Sequence, residues 1–321
     1  MGRRPLAGRH EQHDRPDRQR PRNPPVITLR HHVLTIVAVF LALAAGIVLG
    51  GGPLSDVGTT VTAASRDDAA PADDGGKADY SERFVSTLAP PVIAGRLADR
   101  PVAVVTVPGA DEQLVTAMTE QVGAAGGTVS ARYDLGADLL DPDQKSLVDA
   151  LGSQLLTQQA TDDVAADAST YDRIGQLLGL AIATKEAEGQ DVSGKARAVL
   201  DAVSGAGLMA EQADVERRAP LVLLVLGTDA GDEGSDAVLA GLVDGLAAQA
   251  AGVVVAGVTA DGGEGQLGRL RANPAAASVA SVDGIDTAAG RVTAIMTLQR
   301  SLTTPGGAFG ASGADGPVPL G

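Results

Sequence analysis

Apolar residues fall along this chain in three kinds of pattern. The first is an unbroken run at residues 33–49, VLTIVAVFLALAAGIVL, seventeen positions without a charge, with Arg30, His31 and His32 before it and Gly50, Gly51 and Gly52 after it. At about 1.5 Å rise per residue the run reaches roughly 26 Å, a little under a ~30 Å hydrocarbon core, so it predicts a transmembrane helix over residues 33–52 that lets its glycines enter the interface. The competing reading is a cleaved signal peptide, whose apolar part is usually about 7–15 residues and ends in an Ala-x-Ala site; no such site follows this run within a few residues. Ala38, Ala42, Gly46 and Gly50 recur every fourth residue within the span. Small residues at that spacing let two helices approach closely in lipid, which would allow a homodimer through the span; the other reading is that an Ala-rich span offers such a row by chance.

The second pattern is a strand-length apolar run followed by helical periodicity. Residues 102–107 (VAVVTV) read as a strand; Asp111 then caps a helix with Leu114, Val115, Met118 and Val122 on one face, closed by Gly126 and Gly127. Residues 128–135 alternate like a strand. A mostly helical stretch over 142–207 carries Leu147, Leu151 and Leu155, then Ile174, Leu177, Leu178, Ala181 and Ile182. The strand-helix rhythm returns at 221–226 (LVLLVL), with a helix through Val238, Leu239, Leu242, Val243 and Leu246. It continues with strands at 253–258 and 278–282 and helices at 265–271 and 287–302. Five buried-type strands alternating with helices predict an α/β fold. The expected domain spans residues 80–302, a doubly wound, mostly parallel five-stranded sheet with a helical insertion.

The third pattern is its lack. Residues 1–32 hold almost nothing to bury and read as a disordered leader. Residues 53–79, rich in Ala, Asp, Gly, Ser and Thr, read as a flexible linker with a turn at Asp73, Asp74, Gly75 and Gly76. A short helix over 80–88 is expected to stop before Pro90 and Pro91, and the Gly/Pro-rich tail 303–321 is expected to be loosely held.

Charge orients this plan. Eight arginines against Glu11, Asp14 and Asp17 give residues 1–32 a net charge of +5, so the total of −15 leaves −20 for the rest. The positive-inside rule then keeps the N-terminus cytoplasmic and exports the body. The leader has no aromatics interleaved with its arginines to stack bases, so nucleic acid is not its expected partner.

Ligands of doubly wound sheets bind at the carboxyl ends of the strands. The loops there are PGADE (108–112), GTDAGDEGSD (227–236), TADGGEG (259–265) and DGID (283–286). They contain Asp111, Glu112, Asp229, Asp232, Glu233, Asp236, Asp261, Glu264, Asp283 and Asp286, and no Lys or Arg. Three readings stand side by side: helix caps, an acidic crevice for a cation or a basic partner protein, and paired carboxylates for hydrolysis. A phosphate would meet ten carboxylates with no G-x-G-x-x-G or P-loop to hold it, so no nucleotide cofactor is expected. His10, His13, His31 and His32 are the only histidines and all precede the body, and the chain has no cysteine. A Ser-His-Asp triad, an imidazole metal site and thiol chemistry are therefore not expected in the exported part, and the four methionines are scattered. No catalytic or metal-binding residue is named from this reading; the expected protein is not an enzyme.

Three blocks carry a resemblance. Residues 26–50 (VITLRHHVLTIVAVFLALAAGIVLG), 84–115 (FVSTLAPPVIAGRLADRPVAVVTVPGADEQLV) and 281–302 (SVDGIDTAAGRVTAIMTLQRSL) resemble the actinobacterial MctB family, named for copper transport and including SteB-like envelope proteins implicated in cell division and cell-wall remodelling. The resemblance implies one N-terminal span, an extracytoplasmic α/β domain and an envelope role, with copper as the only cofactor it suggests. Two departures are visible: residues 55–79 lack the heptads such proteins often carry after the span, and GGAFG (306–310) has Phe309 where relatives tend to have tyrosine. The residues point to a module that acts by binding; the resemblance implies either a cell-wall or division protein as its partner, as for SteB-like members, or copper transport, as the family name has it.

Overall fold

The structure is a computed structural model that describes residues 74–160, 162–212, 215–227 and 233–320. The leader, the expected span with Ala38, Ala42, Gly46 and Gly50, linker residues 53–73, and Asp229 and Asp232 lie outside the described residues. Among the described residues no helix is long and apolar enough to cross a membrane. Residues 72–321 form a compact unit of their own.

The strands are β1 (Pro101–Thr106), β2 (Thr128–Asp134), β3 (Gln190–Asp191), β4 (Arg217–Arg218), β5 (Leu221–Val225), β6 (Gly252–Gly257), β7 (Ala280–Asp283) and β8 (Ala308–Phe309). Six of them make one sheet in the order β2-β1-β5-β6-β7-β8, every neighbouring pair parallel, while β3 and β4 form a separate antiparallel pair. Every residue of β1, β5 and β6 is buried, as continuous apolar runs in a parallel sheet require.

Alternate strand residues feed two separate cores. Ala103, Val105, Val222, Leu224, Val253 and Val255 face one, with α4 (Lys145–Gln159), α5 (Thr170–Ile182), α6 (Gly194–Gly205), α7 (Glu233–Gln249) and α8 (Gln266–Ala272). Val102, Val104, Leu221, Leu223, Val254, Ala256 and Val282 face the other, with α1 (Asp74–Ile93), α2 (Glu112–Ala124) and α9 (Ala288–Ser301). The remaining helix, α3 (Ala137–Leu140), opens the insertion. Each fully buried Val, Leu or Ile contributes about 1.5–3 kcal/mol of burial, so the strand residues of either core together outweigh a surface ion pair of about 0–1 kcal/mol.

Three expectations are corrected. The helix expected over 80–88 begins at Asp74, inside the expected flexible linker, and runs through Pro90 and Pro91 to Ile93. The prolines are tolerated because they lie in the last turns on the exposed side; the carbonyls they leave without donors belong to exposed Ser86 and Thr87. The sheet has six strands, not five, and the sixth comes from the tail expected to be loose. Ser281 N donates to Gly307 O (2.8 Å), Ala308 N to the Asp315 carboxylate (2.8 Å), and Phe309 is 3 % exposed beneath Arg300, whose guanidinium carbon is 5.2 Å from the ring centroid. Apolar contact and backbone pairing hold a segment whose composition alone reads as a linker.

Candidate functional site

The carboxyl ends of β1, β5, β6 and β7 are where the acidic loops fall, and each described carboxylate there has a definite environment. Asp111 caps α2: its Oδ1 accepts from Gln113 N (2.7 Å) and Leu114 N (3.4 Å). Next to it Glu112 forms a two-pronged pair with Arg132 of β2 (2.5 and 2.6 Å), and Arg132 Nε also reaches Asp134 (2.6 Å). The guanidinium holds the Glu112 carboxyl below the usual carboxylate range. Thr106 at the end of β1 donates to Asp134 Oδ1 (2.6 Å), so Asp134 links two strand ends.

At the start of α7, Glu233 is exposed, whereas Asp236 is buried and receives Arg269 Nε (2.5 Å) and Gln266 Nε2 (3.3 Å) from α8. After β6, Asp261 turns back to accept from Val258 N (2.8 Å). Burial raises its pKa, and the nearby charge of Asp286 adds to the effect. Asp286 itself accepts from Thr259 N (2.7 Å) and Thr259 Oγ1 (2.9 Å). Glu264 keeps an exposed side chain.

The most enclosed node sits at the end of β7. Asp283 is completely buried and accepts from Arg271 Nη2 (2.9 Å) and from Ser312 N (2.8 Å). Arg271 also donates through Nε to Ser281 Oγ (2.9 Å), Nη1 to Ser312 Oγ (3.0 Å) and Nη2 to the Phe309 carbonyl (2.7 Å). One guanidinium therefore joins α8, β7 and the tail. Gly310 must be glycine here, since its φ is +108° and a Cβ would stand 2.3 Å from the Asp283 carbonyl oxygen.

The adjoining turn accounts for the D-x-x-D-T-x-x-G-R block. Thr287 caps α9 by accepting from Gly290 N (3.1 Å), and a Cβ at Gly290 would meet the Gly284 oxygen at 1.9 Å. Arg291 donates to the Ile285 carbonyl (3.0 Å) and reaches Glu82 (3.4 Å), which also accepts from Ala288 N (2.8 Å). Glu82 thus docks α1 on the start of α9.

Of the ten sequence-selected carboxylates eight are described, and six of these bond to backbone, hydroxyl or arginine groups of the fold. Arg132, Arg269 and Arg271, all from outside the four loops, supply the cations those loops lack. The loop sequences conceal these residues because the partners lie up to 33 positions away and meet only through strand adjacency. Among the described residues no group of three or more His, Cys, Asp or Glu could hold a metal ion. Concave surface lies elsewhere, as an open hollow of about 610 Å³ beside α6, lined by Arg197, Asp201 and Glu211, and one of about 280 Å³ at the opposite end of the sheet. The second holds Asp172 and Asp244; burial and the charge of Asp172 raise the Asp244 pKa.

Comparison with known proteins places this geometry in a family. The sequence profile described as "Copper transport outer membrane protein, MctB" matches residues 26–319. Relatives named "Copper transporter MctB" from Mycobacterium tuberculosis (strain ATCC 25618 / H37Rv) and Mycobacterium bovis are 28 % identical over 301 residues, covering 85 % of this chain and 92 % of theirs. The relative of the same name from Mycobacterium leprae is 28 % identical over 318 residues, covering 87 % of this chain and 94 % of its own.

Proposed function

Because the chain belongs to the MctB family, we propose that it is a membrane-anchored, non-enzymatic envelope protein that serves copper homeostasis by binding. In this reading residues 33–52 hold it in the cell membrane, the N-terminus stays in the cytoplasm, and the α/β body works outside. The relatives' name supplies the copper. The body supports binding over conduction through one observation: its sheet is parallel and open, with edges at β2 and β8. Strands that line a membrane pore close on themselves, antiparallel, about 9–11 residues each, whereas these run from two to seven. Against catalysis, six of the eight described carboxylates at the strand ends bond to backbone, hydroxyl or arginine groups of the fold itself.

A strain lacking the protein tests this reading. Copper tolerance should fall or cell copper should rise, and the body restored without residues 33–52 should fail to rescue; unchanged tolerance and copper content would remove the copper role. The second reading, a cell-wall or division protein as the bound partner, rests on the resemblance of residues 26–50, 84–115 and 281–302 to a family that includes SteB-like envelope proteins. Capture of the full chain from envelope membranes should then return such a protein in amounts that fall with added salt.

A further inference from the structure

The face of α1 turned away from the body carries large apolar side chains that nothing among the described residues covers. Tyr80, Phe84, Leu88 and Val92 are 65, 52, 43 and 42 % exposed, and they are four of the six exposed large hydrophobics among the described residues. They occur every fourth residue, so they form one ridge along the helix. Tyr80 and Phe84 stack at 6.1 Å between ring centroids, and a groove of about 280 Å³ runs beside them, lined by Arg83, Thr87 and Leu88. The adjacent row, Val85, Ala89 and Ile93, turns toward the body, with Ala89 and Ile93 buried. A helix apolar on two adjoining rows is built to have two neighbours, and one of them is missing.

We propose that this ridge docks on the same ridge of a second copy of the chain, α1 against α1. The inference rests on the anchored reading above. A row of i±4 residues packs into the groove beside its twin at a crossing of about −50°. The sequence repeats that spacing in small form at Ala38, Ala42, Gly46 and Gly50, the row expected to join two spans in lipid. Only 29 residues, 51–79, separate the two rows, so copies held through one would present the other side by side.

Area sets the condition for pairing. Scaled by exposure, and taking about 200 Å² for a buried aromatic side chain, the ridge offers on the order of 400 Å² per copy. A pair would bury about 800 Å², short of the ~1,200–2,000 Å² of stable interfaces. The free body therefore stays single, and tethering in one membrane supplies the effective concentration that the ridge needs.

The chain contains no cysteine, so an introduced one can be addressed alone. The test uses the full chain in membranes with Thr87→Cys, in the groove, or Ser86→Cys, on the far side of the helix, and a short bis-maleimide. T87C should give a covalent dimer and S86C should not; adding Phe84→Glu and Leu88→Glu, both at exposed positions, should cut the T87C product at least fivefold. Equal products at both sites, or none, would overturn the pairing. So would quenching of a fluorophore at residue 87 by brominated lipid, which would make the bilayer the cover. A chain that does not sediment with membranes at all fails the anchored reading instead.

Discussion

At the residue scale, Arg271 and Asp283 form the most buried ion pair among the described residues. Asp283 is fully buried and Arg271 nearly so, and removing one partner leaves the other charge without compensation. Asp283→Ala should lower the unfolding free energy of residues 72–321 by about 3–5 kcal/mol in a urea titration, whereas removing exposed Glu112 should have little effect on the same curve. Asp244 acts with the opposite sign. Its raised pKa means that the folded protein holds the proton more tightly than the unfolded chain does. Its favourable contribution is complete below the ordinary carboxylate range of about 4 and is lost as pH rises through the raised value. Asp244→Asn should therefore melt higher than the parent at pH 7 and no higher near pH 3.5, because only at pH 7 does the parent hold a second charge beside Asp172. Some of this was legible in the sequence and some was not. The Asp111 cap could be read because a cap and its helix are neighbours in the chain. The Arg271 and Asp283 pair could not, because it depends on α8 and β7 meeting at a strand end.

At the element scale, four strands legible as apolar runs, the alternating β2 and the helices between them follow directly from hydrophobic period. The sixth strand does not. β8 is two residues long, set among glycines and prolines, and is defined by the edge it joins rather than by its own pattern. Its contribution is still large. Phe309→Ala empties a buried ring site between β7 and Arg300, and the expected loss is about 3–5 kcal/mol, read as a lower melting temperature with the helical circular dichroism unchanged before the transition. The length of α1 escaped for a related reason. Glycines and two prolines argue locally against a helix, and contact with α9 through Glu82, Ala89 and Ile93 outweighs them.

At the scale of the whole molecule, the order β2-β1-β5-β6-β7-β8 has a consequence in time. β1 pairs with β5, yet about 115 residues separate them, most of them the helical insertion, so the centre of the sheet cannot close until that stretch is made. Pairings at such sequence distance are slow to form. The last strand and the last partners of the buried pair, Phe309 and Ser312, then come from the final twenty residues. A chain without them carries a bare β7 edge and an arginine and aspartate short of their hydrogen bonds. Loss of residues 303–321 should therefore produce aggregation-prone, protease-sensitive chains, and limited proteolysis of refolded protein with and without these residues should show protection only where they are present. Residues 308–309 thus act as the cover of the sheet, and their presence separates a chain whose β7 edge is closed from one that offers that edge to its neighbours.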